Sequence, residues 1–160
     1  MEYKIVILGK KGVGKTSILN RHFFGKFEKE YNPTLTVGIY PIQYYTNHGT
    51  IKLNIIDFPD YEKHNFKSDG CLAIIDQTKE SLDELKIQIN HYKNINENNL
   101  IIYVVNKSDI ICPKIYLEEF PEALEVSAKN NIHLNTPFLL MIKKLTGKNN
   151  LEFYEEPIET

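Results

Sequence analysis

With 160 residues, 42% of them hydrophobic and 25% charged, the chain has material for one globular domain with an ordinary core and none for a second. Nineteen Lys and Arg against twenty-one Asp and Glu leave a formal charge of -2, which argues against general attraction to nucleic acid or anionic lipid. Cys71 and Cys112, the only cysteines, exclude a disulfide framework and a metal knuckle, and no apolar run approaches the roughly 20 residues of a membrane span.

Short apolar runs alternate with longer amphipathic segments, the pattern of a sheet with crossover helices, so an α/β fold is expected. Tyr3 to Leu8 reads as a buried strand running into Gly9-Lys10-Lys11-Gly12-Val13-Gly14-Lys15-Thr16, and Thr16 to Phe24 as a helix closed by Gly25. Thr36 to Tyr45 and Thr50 to Ile56 read as an antiparallel hairpin turning at Thr46-Asn47-His48-Gly49. Leu72 to Ile75 and Leu100 to Val105 are apolar throughout and suit central strands buried on both faces. Between them a helix starts at Ser81, with Glu84 completing a capping box and Leu82, Leu85, Ile89 and Tyr92 on one face. Beyond Asp109 only a turn at Pro113 and a short segment from Ile115 to Phe120 are expected. The last helix has Pro137 at its start, Phe138, Met141, Ile142 and Leu145 inward, and Gly147 as a stop. The expected division is a domain over 1–148 and a polar, loosely docked tail over 149–160.

The strand-loop-helix unit at the start carries the chemistry. GxxxxGK(S/T) lets successive backbone N–H groups turn inward around phosphate oxygens, at the positive end of the following helix. The cradle comprises Lys11, Gly12, Val13, Gly14, Lys15, Thr16 and Ser17, with Lys15 reaching the β- and γ-phosphates and the Thr16 hydroxyl holding magnesium. ATPases and nucleotide kinases use the same cradle, so the base is decided elsewhere. Asn106-Lys107-Ser108-Asp109 follows a central strand at the sheet's carboxyl edge, where open α/β sheets bind ligands. An aspartate there can accept guanine N1–H and N2–H together, whereas adenine would leave it unsatisfied. Ser127-Ala128-Lys129 follows another short strand. A nucleotide kinase would need an acceptor site and a lid, for which no segment is long enough.

The ordered set GKKGVGKT, Asn32-Pro33-Thr34, Asp57, NKSD and SAK resembles that of the small Ras-like GTPases. Within them, Arg21 to Tyr31, Thr46-Asn47-His48-Gly49 with Ile51-Lys52, and Asn150-Leu151-Glu152-Phe153 look like the Ran branch. The resemblance implies a three-layer P-loop NTPase domain with a six-stranded, mostly parallel sheet and one antiparallel edge strand. It implies GTP or GDP with magnesium, Thr34 as a second magnesium ligand and Asp57 holding the ion through water. It also implies Lys107 and Lys129 flanking the guanine plane and the Ala128 amide meeting its O6. Partners would be importin- or exportin-type transport receptors or other Ran effectors, met by a monomer in nucleus and cytoplasm, with no nucleic acid and no membrane.

The pattern breaks at the hydrolytic segment. The family reads DxxGQ where this chain reads Asp57-Phe58-Pro59-Asp60-Tyr61. Asp60 replaces the glycine whose amide senses the γ-phosphate, and Tyr61 replaces the glutamine that orients the attacking water. A phenol lacks the amide's paired donor and acceptor. Lys11 also occupies a position where the family keeps glycine. Weak or partner-dependent hydrolysis is therefore expected, the alternative being a competent GTPase that uses Asp60, Tyr61 or a partner's residue in place of glutamine.

Overall fold

The computed structural model describes residues 1–25, 36–98, 100–107, 109–110 and 113–155. Strands β1 (Glu2–Leu8), β2 (Gly38–Thr46), β3 (Gly49–Asp57), β4 (Gly70–Ile75), β5 (Ile101–Val105), β6 (Leu124–Glu125) and β7 (Phe153–Tyr154) form one seven-stranded sheet in the order β6-β5-β4-β1-β3-β2-β7. Helices α1 (Lys15–Phe24), α2 (Lys79–Ile95) and α3 (Thr136–Thr146) cover it.

Alternation along the central strands sends side chains to two apolar layers. Ile5, Ile7, Leu53, Ile55, Leu72 and Ile74 meet Ile18 and Leu19 of α1 and Phe138, Met141 and Ile142 of α3. Val6, Leu8, Cys71, Ala73, Ile75 and Val105 meet Leu82, Leu85, Ile89 and Tyr92 of α2 on the other face. Each fully buried Ile or Leu contributes about 1.5–3 kcal/mol. Because β1 is hydrogen-bonded in parallel to both β3 and β4, it lies at the sheet's centre and delivers its following loop to the middle of the carboxyl edge.

The hairpin forms as expected, Thr46 opposing Gly49 across a two-residue turn, and Thr46 Oγ1 donates to Gly49 O at 2.6 Å. Three expectations are corrected. The sheet has seven strands rather than six, and its antiparallel strand, β2, lies one place in from the edge because β7 pairs with it at Tyr45–Tyr154 and Thr46–Phe153. The segment after Asn149 is correspondingly docked through Tyr154. Asn47 Nδ2 donates to Asn150 O at 2.8 Å and Asn47 Oδ1 accepts from Glu152 N at 3.0 Å, while Leu151 is buried and Phe153 packs edge-on to Tyr44. One asparagine in the turn thus supplies the main-chain partners that a polar tail lacks. Residues 156–160 lie outside the described residues.

The third correction is the start of α2. Its cap is Thr78, whose Oγ1 accepts from Ser81 N at 3.3 Å, so Ser81 sits inside the first turn and is fully buried. Two hydroxyl residues three apart both satisfy a capping pattern, and Asp76, which accepts from Thr78 N at 3.0 Å and Thr78 Oγ1 at 2.6 Å, selects the earlier one. Among the described residues, the short connection after Asp109 contains the 3-10 turn Ile115–Glu118, with Tyr116 buried, ahead of β6.

Candidate functional site

The loop between β1 and α1 is shaped by two close approaches. A Cβ on Gly9 would stand 2.5 Å from the Ile74 carbonyl oxygen of β4, so β1 can end against its neighbour only as glycine. Gly14 has φ 98°, and a Cβ there would collide with the Asn106 side-chain amide. Gly14 is also the residue preceding α1, so the helix has no side-chain cap, and its first turn carries no acid. The N–H groups of that turn, Thr16 and Ser17 among them, present a positive end suited to an anion. Lys15 curls back over this loop and donates to Gly9 O at 2.6 Å. Burial holds its ammonium below the usual lysine pKa, with the Asp57 carboxylate acting in the opposite direction.

Asp57, the last residue of β3, is fully buried and accepts from Thr16 Oγ1 through Oδ2 at 2.7 Å, while its Oδ1 makes no hydrogen bond. Burial raises its pKa, opposed by the Thr16 hydroxyl and by Lys15. A buried carboxylate oxygen without a partner, beside a hydroxyl oxygen, fits a hard divalent cation such as magnesium. Among the described residues no group of three or more His, Cys, Asp and Glu could hold a metal alone, so phosphate oxygens and water would complete the shell. Thr34, the other expected ligand, lies outside the described residues.

On the other side of the loop, Asn106 is the hub. Its Nδ2 donates to Val13 O at 2.8 Å, its Oδ1 accepts from Ala128 N at 3.2 Å, and its own N–H reaches Ile75 O at 2.7 Å. Lys107, at φ 62°, donates to Gly12 O at 2.9 Å and pairs with Asp76 Oδ2 at 3.3 Å. Burial alone would raise the Asp76 pKa, but hydrogen bonds from Thr78 and Ser81 together with Lys107 lower it. Ser127 Oγ donates to Asp109 Oδ1 at 2.7 Å and accepts from Asn130 N at 3.1 Å, fixing the carboxylate's orientation at the sheet edge. Of the expected residues, Asn106, Lys107, Asp109, Ser127 and Ala128 are linked by these bonds, with one adjustment: the Ala128 amide bonds Asn106, and a base O6 would have to compete for it. Lys129 is exposed, and Ser108 lies outside the described residues.

The hydrolytic segment is arranged differently. Tyr61 is 3% exposed, in a 3-10 turn Tyr61–Lys63, packed against Phe58 and edge-on to His91. Burial drives its phenol pKa far up; Asn96 is near enough to pull slightly downward without making a well-formed hydrogen bond. Turned into the apolar layer, this ring does not present its hydroxyl as a water-positioning group. Asp60 lies 3.6 Å from Lys11 and 3.4 Å from Lys63, and Lys11 first, then Lys63, hold its carboxyl below the usual range. A cavity of about 310 Å³ lies between these elements, lined by Lys11, Lys15, Phe58, Asp60, Tyr61 and Gln88.

Gln88 is the site residue that motif reading misses. From the inward face of α2 its Oε1 accepts from Gly9 N at 2.7 Å and its Nε2 donates to Gly9 O at 3.2 Å. A signal was present: Gln88 is an uncharged polar residue in the stripe Leu85, Ile89, Tyr92, at a spacing that faces the core.

Residues 4–109, well over half of the chain, match the family described as the Ras of Complex, Roc, domain of DAPkinase. The matched span includes the phosphate loop, Asp57 and NKSD, and it places the chain in the Ras-like superfamily without singling out the Ran branch. That superfamily generally binds GTP or GDP with magnesium, which is the chemistry the cradle, the Thr16–Asp57 pair and the oriented Asp109 fit. The chain belongs to the Roc family of Ras-like GTPase domains.

Proposed function

We propose that this protein is a guanine-nucleotide-dependent binding module that retains GTP with magnesium and hydrolyses it slowly. The observation that carries the reading is the fate of the two altered hydrolytic positions: Tyr61 is buried in the core and Asp60 is engaged by Lys11 and Lys63, while the binding motifs bond to one another. Lys15, Thr16 and the loop amides would hold the phosphates, Thr16 and Asp57 the cation, and Asp109 the base. Magnesium supplies charge neutralisation of the phosphates when bound. Identification of the copurifying nucleotide and a single-turnover rate test this reading. Retained GTP and a rate well below that of an ordinary small GTPase are expected; predominant GDP or an ordinary rate overturns it.

One observation favours a second reading, a competent GTPase using Asp60. Its carboxyl, held below the usual range by Lys11 and Lys63, borders the cavity that Lys15 also lines. In that case Asp60→Ala slows turnover markedly, whereas in the preferred reading the rate is unchanged.

For partners we propose nuclear-transport receptors of the importin or exportin type, bound by a monomer in the nucleus and cytoplasm. The support is the set of Ran-like stretches, two of which, at Thr46–Gly49 and Asn150–Phe153, are joined through Asn47. Pull-downs with the protein loaded with a non-hydrolysable GTP analogue or with GDP test it. Receptor capture confined to the GTP-analogue form is expected, and equal capture in both forms, or none, rejects it.

A further inference from the structure

We infer that the connection from β3 to β4, residues 58–69, is a fixed strap that keeps one arrangement whether a guanosine diphosphate or triphosphate occupies the site. The inference rests on the nucleotide-binding reading above and concerns how that site is read from outside: a partner touching the strap would not distinguish the two nucleotide states.

β3 and β4 run parallel on either side of β1, so the chain must cross over β1 between them. Such a crossover takes about a dozen residues at least, usually including a helix. Here it occupies 58–69 with one 3-10 turn, Tyr61–Lys63, which leaves little chain for a second path. Beyond the turn, Lys63, Asn65, Lys67 and Asp69 are exposed while His64, Phe66 and Ser68 face inward. That alternation is the period of extended backbone, and His64 has φ -120° and ψ 139°. Extended chain makes no hydrogen bonds within itself, so its partners must come from neighbouring elements.

Those neighbours are α2, the residues directly after it, and β1. Phe58 and Tyr61 are buried in the layer under α2, and the Phe58 ring packs on His64 at 4.6 Å and Phe66 at 5.3 Å. In the middle of the strap, His91 Nε2 donates to the His64 carbonyl at 3.0 Å. At its end, Asn96 Oδ1 accepts from Ser68 N at 2.9 Å and Asn98 Nδ2 donates to Ser68 O at 2.6 Å. Asp69 N then reaches Lys4 O of β1 at 2.8 Å. None of His91, Asn96, Asn98 and Lys4 is among the residues assigned to the nucleotide. Toward the phosphate loop the strap offers the Lys11–Asp60 pair, 3.6 Å apart between exposed side chains. A pull exerted through an exposed pair is weak beside the burial of two aromatic rings.

The test is amide hydrogen exchange on the protein loaded with magnesium and either GDP or a non-hydrolysable GTP analogue, with residues 9–17 as the binding control. Rates across 58–69 are expected to agree within about twofold between the two forms, and a difference above about fivefold overturns the inference. His91→Ala is expected to speed exchange at the Lys63 and His64 amides about five- to tenfold, the range set by one lost hydrogen bond. His91→Gln keeps a donor of similar reach and should restore the slower rate. Unchanged exchange in His91→Ala, or no restoration by His91→Gln, means that α2 does not hold the strap and overturns the inference. Protection of 9–17 by neither nucleotide rejects the nucleotide-binding reading, and the inference falls with it. That outcome is distinct from a protected loop beside a strap that differs between the two forms, which overturns the inference alone.

Discussion

The base side and the hydrolytic side of the site flank the same loop, yet their side chains are spent differently. Asn106 and Lys107 bond main-chain groups of the phosphate loop, Asn106 also holds the Ala128 amide, and Ser127 orients Asp109. Asp60 and Tyr61 instead answer to neighbours with no part in binding a base: Asp60 to two exposed lysines, Tyr61 to the apolar layer under α2. Three separate stretches of sequence are coupled on the first side through Asn106, so displacing that side chain should disturb both the phosphate loop and the Ala128 stretch. On the second side each residue is anchored alone, and its loss should remain local.

The sharpest way to break this contrast is Gly14→Ala. A methyl at φ 98° is strained and displaces Asn106, so a loss of about 2–4 kcal/mol in chemical denaturation is expected, with nucleotide binding lost alongside. Next is Asp109→Ala, which should reduce GDP affinity by roughly a hundredfold or more while leaving the melting temperature of the nucleotide-free protein nearly unchanged; Ser127→Ala, which removes only the orienting bond, should cost about tenfold. Equal affinity for GDP and ADP in the unmutated protein would deny the base side its role.

Smaller effects probe the links themselves. The folded-state pKa of Asp76 lies below the ordinary 3.8, so its contribution to stability is present above that value and is lost as pH falls through the lowered one. Asp76→Asn should therefore be less stable than the unmutated protein near neutral pH, and the gap should narrow as the pH falls below about 3.8, as read by urea midpoints. The smallest effect belongs to Tyr61→Phe. Removing a buried hydroxyl that lacks a well-formed hydrogen bond should leave stability unchanged or raised by up to about 1 kcal/mol, with the hydrolysis rate unaltered. A slower rate would mean that the phenol reaches the nucleotide after all and would dissolve the contrast.

Much of the fold was legible because its signals are local. Apolar runs marked β1, β4 and β5, the spacing of Leu82, Leu85 and Ile89 marked α2, and Pro137 with Gly147 bounded α3. What was not legible depended on residues far apart. β7 is two residues long and exists because Asn47, over a hundred positions earlier, bonds Asn150 and Glu152. The start of α2 was chosen between two plausible caps by Asp76.

By itself the sequence determined which residue types stand in the loop after β1 and at the neighbouring strand ends, the types that a phosphate cradle, a magnesium-binding hydroxyl and a guanine-binding carboxylate would require at those spacings. It also determined that the water-positioning glutamine is absent. Only the tertiary structure decided where the replacements go: burying the Tyr61 ring is worth more than exposing its hydroxyl, and Asp60 finds cations on both the loop and its own turn. Packing likewise set Gln88 against Gly9, for a side chain on one helix can satisfy a peptide 79 positions away only after the sheet has brought them together.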